Sequence, residues 1–192
     1  MLKHRLTSLA LALLLAIAPG FAPAENDPHT QMLLDFIQRA LDNDAYQTYL
    51  TCERNDEKAC FTLLFKADEH WGGQLGHIRA SVRVAHDGIL VQACCEKTAP
   101  PDRIDEVARF CNLMNSRSPR GRFRVDCDSG AIFYEEFLLP EYVLASEESA
   151  QDSLLLLLYS AVNQADYNAC YFAAVIDGQT AETAYGMSDP NG

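Results

Sequence analysis

The residues with the widest chemical range in this 192-residue chain are its seven cysteines, Cys52, Cys60, Cys94, Cys95, Cys111, Cys127 and Cys170. A cysteine can attack a substrate as a thiolate, hold zinc, or cross-link the chain. Attack needs a base within reach. Cys94 with His70, His77 or His86 is the candidate set, and no spacing ties them together. Zinc needs ligands in close pairs, and the chain has no C-x-x-C and no Cys/His cluster. Cys94 and Cys95 are adjacent on a predicted strand, so they point to opposite faces and cannot readily bridge each other. Disulfides with other partners remain, and an odd count leaves at least one thiol free or paired between chains.

Carboxylates and amides give the other candidates. Asp126, Asp128 and Gly130 resemble the opening of a calcium loop, but an EF-hand closes on Glu at position 12, where this chain has Phe137. A hairpin turn explains these residues better. Glu135 and Glu136 are strand neighbours facing opposite ways, a poor acid/base pair. Asn112 and Asn115 share a helix face. They read either as a polar contact pair for a ligand or as partners for backbone groups where the helix stops, and the second reading suits Asn115 better. There is no G-x-S-x-G and no glycine-rich phosphate loop. The expectation is no catalytic residue, no bound metal and no cofactor.

The N-terminus points to export. Lys3, His4 and Arg5 precede an apolar run over 6–18, then Pro19, Gly20 and the small-residue site Ala22-Pro23-Ala24. This pattern predicts a signal peptide over 1–24, cleaved after Ala24. Its apolar run is shorter than the roughly 20 residues needed to span a bilayer. The expected location is periplasmic or secreted, which is why disulfides come first in reading the cysteines. The formal charge is −12, and losing 1–24 removes two basic side chains and no acidic one. So acidic a chain repels nucleic acid and anionic membrane surfaces, so neither is expected as a partner, and no membrane insertion is expected after cleavage. A hydrophobic fraction of 48% supports one packed domain over 25–178.

Several elements must position these residues. Leu33, Leu34, Ile37, Ala40 and Leu41 recur at helical spacing, with Thr30 as the expected cap. Strands over 45–54 and 59–67 form a first hairpin, and strands over 77–85 and 89–95 a second, around Asp87-Gly88. If the first turn is centred on Asp56, Cys52 faces Cys60 at about 4.5 Å between Cα atoms, within disulfide reach. Trp71-Gly72-Gly73 reads as a loop. A helix follows Pro100-Pro101, with Ile104, Val107, Ala108, Cys111 and Met114 on one stripe. Strands over 122–127 and 131–138 form a third hairpin. A last helix starts near Ser146, breaks at 166–168 and ends at Gly178. Its five consecutive leucines over 154–158 cover more than one face, so Leu154, Leu156 and Leu157 are expected at deep burial or an interface. Residues 179–192 are expected to be a flexible polar tail. Tight hairpins with helices between them predict an α+β fold, an antiparallel sheet with helices packed on it.

The second half of the chain carries a resemblance. Residues 103–110 read RIDEVARF, followed by Asn112, Asn115, Gly121-Arg122-Phe123, Asp126 and Gly130. This succession, a helix with N-x-x-N, then G-x-F-x-x-D, a glycine turn and a long last helix, resembles the YbjN-domain family. The resemblance spans roughly 45–178, and it implies a fold similar to that of type III secretion chaperones. It departs at Arg120, where an apolar residue is usual, and in the cysteines. It implies a non-enzymatic, protein-binding role, chaperone-like or regulatory. The surplus apolar surface of the leucine run adds a homodimer as one form of that contact. The alternative is a secreted inhibitor or effector that acts on an exported enzyme through its acidic surface.

Overall fold

The computed structural model describes residues 27–67, 77–86, 88–95 and 97–188. The expected signal peptide, His70 and Trp71 lie outside the described residues. The chain begins with α1 (Pro28–Asp42), whose start is set by Asp27 rather than Thr30. The Asp27 carboxylate accepts the backbone N–H groups of His29 and Thr30, and the Thr30 hydroxyl donates to it as well. Pro28 suits the first helical position because that N–H has no partner in a helix.

The strands are β1 (Tyr49–Asn55), β2 (Cys60–Lys66), β3 (His77–Ala85), β4 (Gly88–Cys94), β5 (Arg122–Val125) and β6 (Ile132–Leu138). They form one six-stranded sheet in the order β1-β2-β3-β4-β6-β5, with every described pairing antiparallel. The helices are α2 (Ile104–Asn115), α3 (Pro140–Ala145), α4 (Glu147–Tyr167), α5 (Ala169–Ile176) and α6 (Ala181–Met187), with a 3-10 turn over Pro101–Arg103. The fold is α+β, as the sequence predicts.

Strand alternation sorts side chains into two faces. Phe61, Leu63, Ala80, Val82, Ile89, Val91, Ala93 and Tyr134 are buried and face the helices. Down the centre of that layer, α4 crosses β3, β4 and β6, flanked by α1 and α3. Its stripe of Ala150, Leu154, Leu158, Ala161 and Ala165 recurs near every fourth residue and is fully buried.

Three expectations need correction. Cys52 stands opposite Leu63, and Cys60 stands opposite Asn55. The first turn is longer than a centre at Asp56 implies. Asn55 Oδ1 accepts the Lys58 N–H at 2.9 Å, the Ala59 N–H bonds Asp56 O at 3.1 Å, and Ala59 takes a positive φ of 46°. This slips the register by three positions, an odd number, so Cys52 and Cys60 lie on opposite faces and the expected bridge has no geometry to support it.

The second correction concerns 179–192. Residues 181–187 form α6, with Ala181 and Ala184 buried. Thr180 caps it, the Ala181 N–H donates to Glu106 at 2.6 Å, and Arg103 bonds the carbonyls of Val175 and Gln179. Arg109 pairs with Glu182, and Arg117 lies over the Tyr185 ring. Small residues three apart let α6 sit close on α2, so the polar composition misled.

The third concerns the leucine run. Leu154 and Leu158 are fully buried, and Leu155 and Leu157 pack partly buried against the core. Only Leu156 is exposed, at 57%. Neighbouring helices cover the flanks of α4, so Leu154 takes the deep burial that is one of the two expectations, Leu157 packs at the margin of the core, and of the three only Leu156 stands open.

Candidate functional site

The motif residues assemble at the end of the sheet where α2 meets β5. The Asn115 side chain donates from Nδ2 to Phe123 O at 2.9 Å, and its Oδ1 accepts the Phe123 N–H at 2.6 Å. It acts as a one-residue strand that seals the outer edge of β5. Asn112 stays exposed one turn back, and its carbonyl accepts the Ser116 N–H, so the two asparagines form no joint ligand site. Phe123 packs edge-on to Tyr134 at 4.9 Å and meets Phe172 at 5.1 Å.

Gly121 precedes that strand with φ of +51°. A Cβ there would lie 2.5 Å from the Tyr134 ring and 2.7 Å from Glu136 Cγ. Gly130 has φ of +70°, and its carbonyl accepts the Ala99 N–H at 2.8 Å. Asp126 Oδ1 accepts the N–H groups of Asp128 and Ser129 and the Ser129 hydroxyl. These bonds hold its carboxyl below the usual range, the Ser129 N–H most of all. The turn takes up this one oxygen of Asp126. Among the described residues no group of three His, Cys, Asp or Glu could hold a metal ion.

Three of the cysteines are poorly placed to act as thiolates. Cys94 lies opposite Arg79 on β3 and Phe133 on β6, with no histidine across the ladder. Burial pushes its thiol up to about 11, that of Cys111 up to about 12, and that of Cys95 well above its ordinary value. All three are neutral thiols at neutral pH.

No motif in the sequence marks the other face of the sheet. No described helix lies on it. Successive rows across it run Cys60–Arg83–Leu90–Phe137, Thr62–Ser81–Gln92–Glu135–Arg122 and Leu64–Arg79–Cys94–Phe133–Arg124. Glu135 is only 5% exposed in the middle of this face. It accepts from Gln92 Nε2 at 2.6 Å, Arg124 Nε at 2.9 Å and Arg122 Nε at 3.4 Å. Arg124 also lies over the Phe133 ring at 5.4 Å. Three donors offset the desolvation of one carboxylate, which fixes β4, β6 and β5 as a rigid floor.

No protein-family model, curated protein or solved structure matches this chain. Among the described residues no helix is long and apolar enough to cross a membrane. Among the described residues the other face of the sheet carries no helix, and it is the candidate site. Leu90 and Phe133 are half-buried on it and Phe137 is 41% exposed, so an apolar strip lies open between arginines on β3 and on β5. Such a surface suits contact with another polypeptide: it offers area, apolar anchors and fixed guanidinium donors.

Proposed function

We propose that this chain is an exported, non-enzymatic module that binds a protein partner through the uncovered face of its sheet. The observation that carries the reading is that face, with apolar side chains between arginines on a floor held by Glu135. The signal-like N-terminus supports export, and the resemblance to the YbjN-domain family supports a binding role of chaperone-like or regulatory kind. Burial raises the thiols of Cys94, Cys95 and Cys111, which favours binding over thiolate chemistry at those three positions.

Capture from a periplasmic extract tests the reading, with the parent chain and Ser81→Trp as paired baits. Ser81 lies mid-face opposite Thr62 and Gln92, and strands accept tryptophan well. A stoichiometric partner that Ser81→Trp loses, at unchanged melting temperature, is the expected result. A partner held equally by both baits and lost on Leu156→Asp would move the contact to the helical layer. Loss of activity in one captured exported enzyme would make the module an inhibitor, and turnover of a substrate by the chain alone would overturn the proposal.

A further inference from the structure

We infer that the partner of this face is an acidic polypeptide segment, one that sets carboxylates against Arg79 and Arg83 while apolar side chains lie in the strip between β3 and β5. This rests on the binding role proposed above and deepens it.

The carrying observation is a reversal of charge sign. The chain has 27 acidic and 15 basic side chains. On the outward positions of the described strands, five basic side chains (Lys66, Arg79, Arg83, Arg122 and Arg124) meet two acidic ones, Glu53 and Glu135. Glu135 is spoken for by the two arginines of β5. Among the described residues no carboxylate ion-pairs with Arg79 or Arg83. These two sit four positions apart on one strand, about 13 Å, and β5 lies three strand spacings away, about 14 Å. An extended segment of about seven residues covers this length, with alternate side chains turned to the face.

Size separates a peptide from other polyanions. Charges further apart than about 8 Å are screened at physiological salt. A short segment meets only the basic face. A nucleic acid or an anionic membrane extends beyond it onto a chain that is acidic elsewhere, and is repelled there. A second copy presents the same basic face, which disfavours joining the two faces to each other.

The test uses the purified chain and three labelled peptides of about eight residues. At its odd positions each carries, by turns, Phe or Leu and one polar residue, which is Glu, Gln or Lys, with Ser at the even positions, so that anchors and polar groups turn to the same face. Fluorescence anisotropy is read across a salt series, with a thymidine oligonucleotide and phosphatidylglycerol vesicles as rival probes. The Glu peptide is expected to bind at least about tenfold tighter than the Gln peptide, with affinity falling as salt rises. Arg79→Glu with Arg83→Glu should weaken it about 10- to 30-fold. Arg79→Gln with Arg83→Gln gives a milder variant if the reversal disturbs folding. Equal binding of the Glu and Gln peptides overturns the acidic assignment and leaves the face as a binding surface intact. Preference for the oligonucleotide or the vesicles overturns it in favour of those partners. Binding of no peptide overturns it too, whereas capture that survives Ser81→Trp counts against the underlying reading instead.

Discussion

Asn115→Ala removes the residue that seals β5 and adds nothing in its place. Two hydrogen bonds go, the 2.9 Å bond to Phe123 O and the 2.6 Å bond from Phe123 N–H. Each contributes about 1 kcal/mol net, and the stranded Phe123 groups lie partly buried, where water replaces the amide poorly. The expected loss is about 2 kcal/mol, which for a domain of this size lowers the melting temperature by about 4–8 °C. Asn112→Ala is the internal control: its side chain is exposed, so the change should stay within about 0.5 kcal/mol. Urea unfolding gives the energies, and amide exchange at Phe123 should quicken in Asn115→Ala beyond the global change. If Asn112→Ala costs as much as Asn115→Ala, or if Phe123 exchange does not respond, the sealing role is wrong.

Further outcomes follow from burial and charge. Gly121→Ala should cost about 2–4 kcal/mol, because its φ is positive and the new Cβ meets the Tyr134 ring, and thermal melts read this directly. Leu154→Ala should destabilise by about 2–5 kcal/mol and Leu156→Ala by under about 0.5 kcal/mol in urea titrations, although the two are neighbours in one run. In reduced native protein, iodoacetamide should label the exposed Cys52 and Cys127 first and reach Cys95 and Cys111 only on unfolding, as peptide mapping would show. The folded state holds the Cys94 proton up to about 11 and the Cys111 proton up to about 12, while the unfolded chain releases both near 9. Their stabilisation is complete below that value and drains away as pH rises towards 12, so the urea midpoint should fall over this window and less so in Cys94→Ala.

Most of the scaffold was legible because its signals are local. Asp-Gly at 87–88, the apolar stripe from Ile104 to Met114 and the break near Asn168 all act within a few residues. The first hairpin failed on a detail that is local too. Asn55 bonding Lys58 lengthens the turn, and a centre guessed at Asp56 cannot foresee a side chain joining it. Residues 179–188 failed for the opposite reason, since α6 is held by Arg103, Glu106 and Arg109, more than seventy positions upstream. The open face was half visible. Arg79 and Arg83 alternate with buried residues on β3, as Arg122 and Arg124 do on β5. Nothing in the order of residues says that these strands share a sheet with β4 and β6 between them.

The amide of Asn115 also limits how the molecule can multiply. Only alternate residues of an edge strand present backbone groups outward, so the four-residue β5 offers two such positions, and Phe123 is already occupied. At the opposite end, β1 is exposed from Leu50 to Arg54 and offers a longer run. A sheet built this way offers a long edge for strand addition at β1 and only a short one at β5. Two copies meeting β1 to β1 would make one continuous twelve-stranded sheet, twice the six of each copy, and both of its ends would then be the short β5 edge. Edge pairing of this kind would favour a pair of copies over a growing fibre.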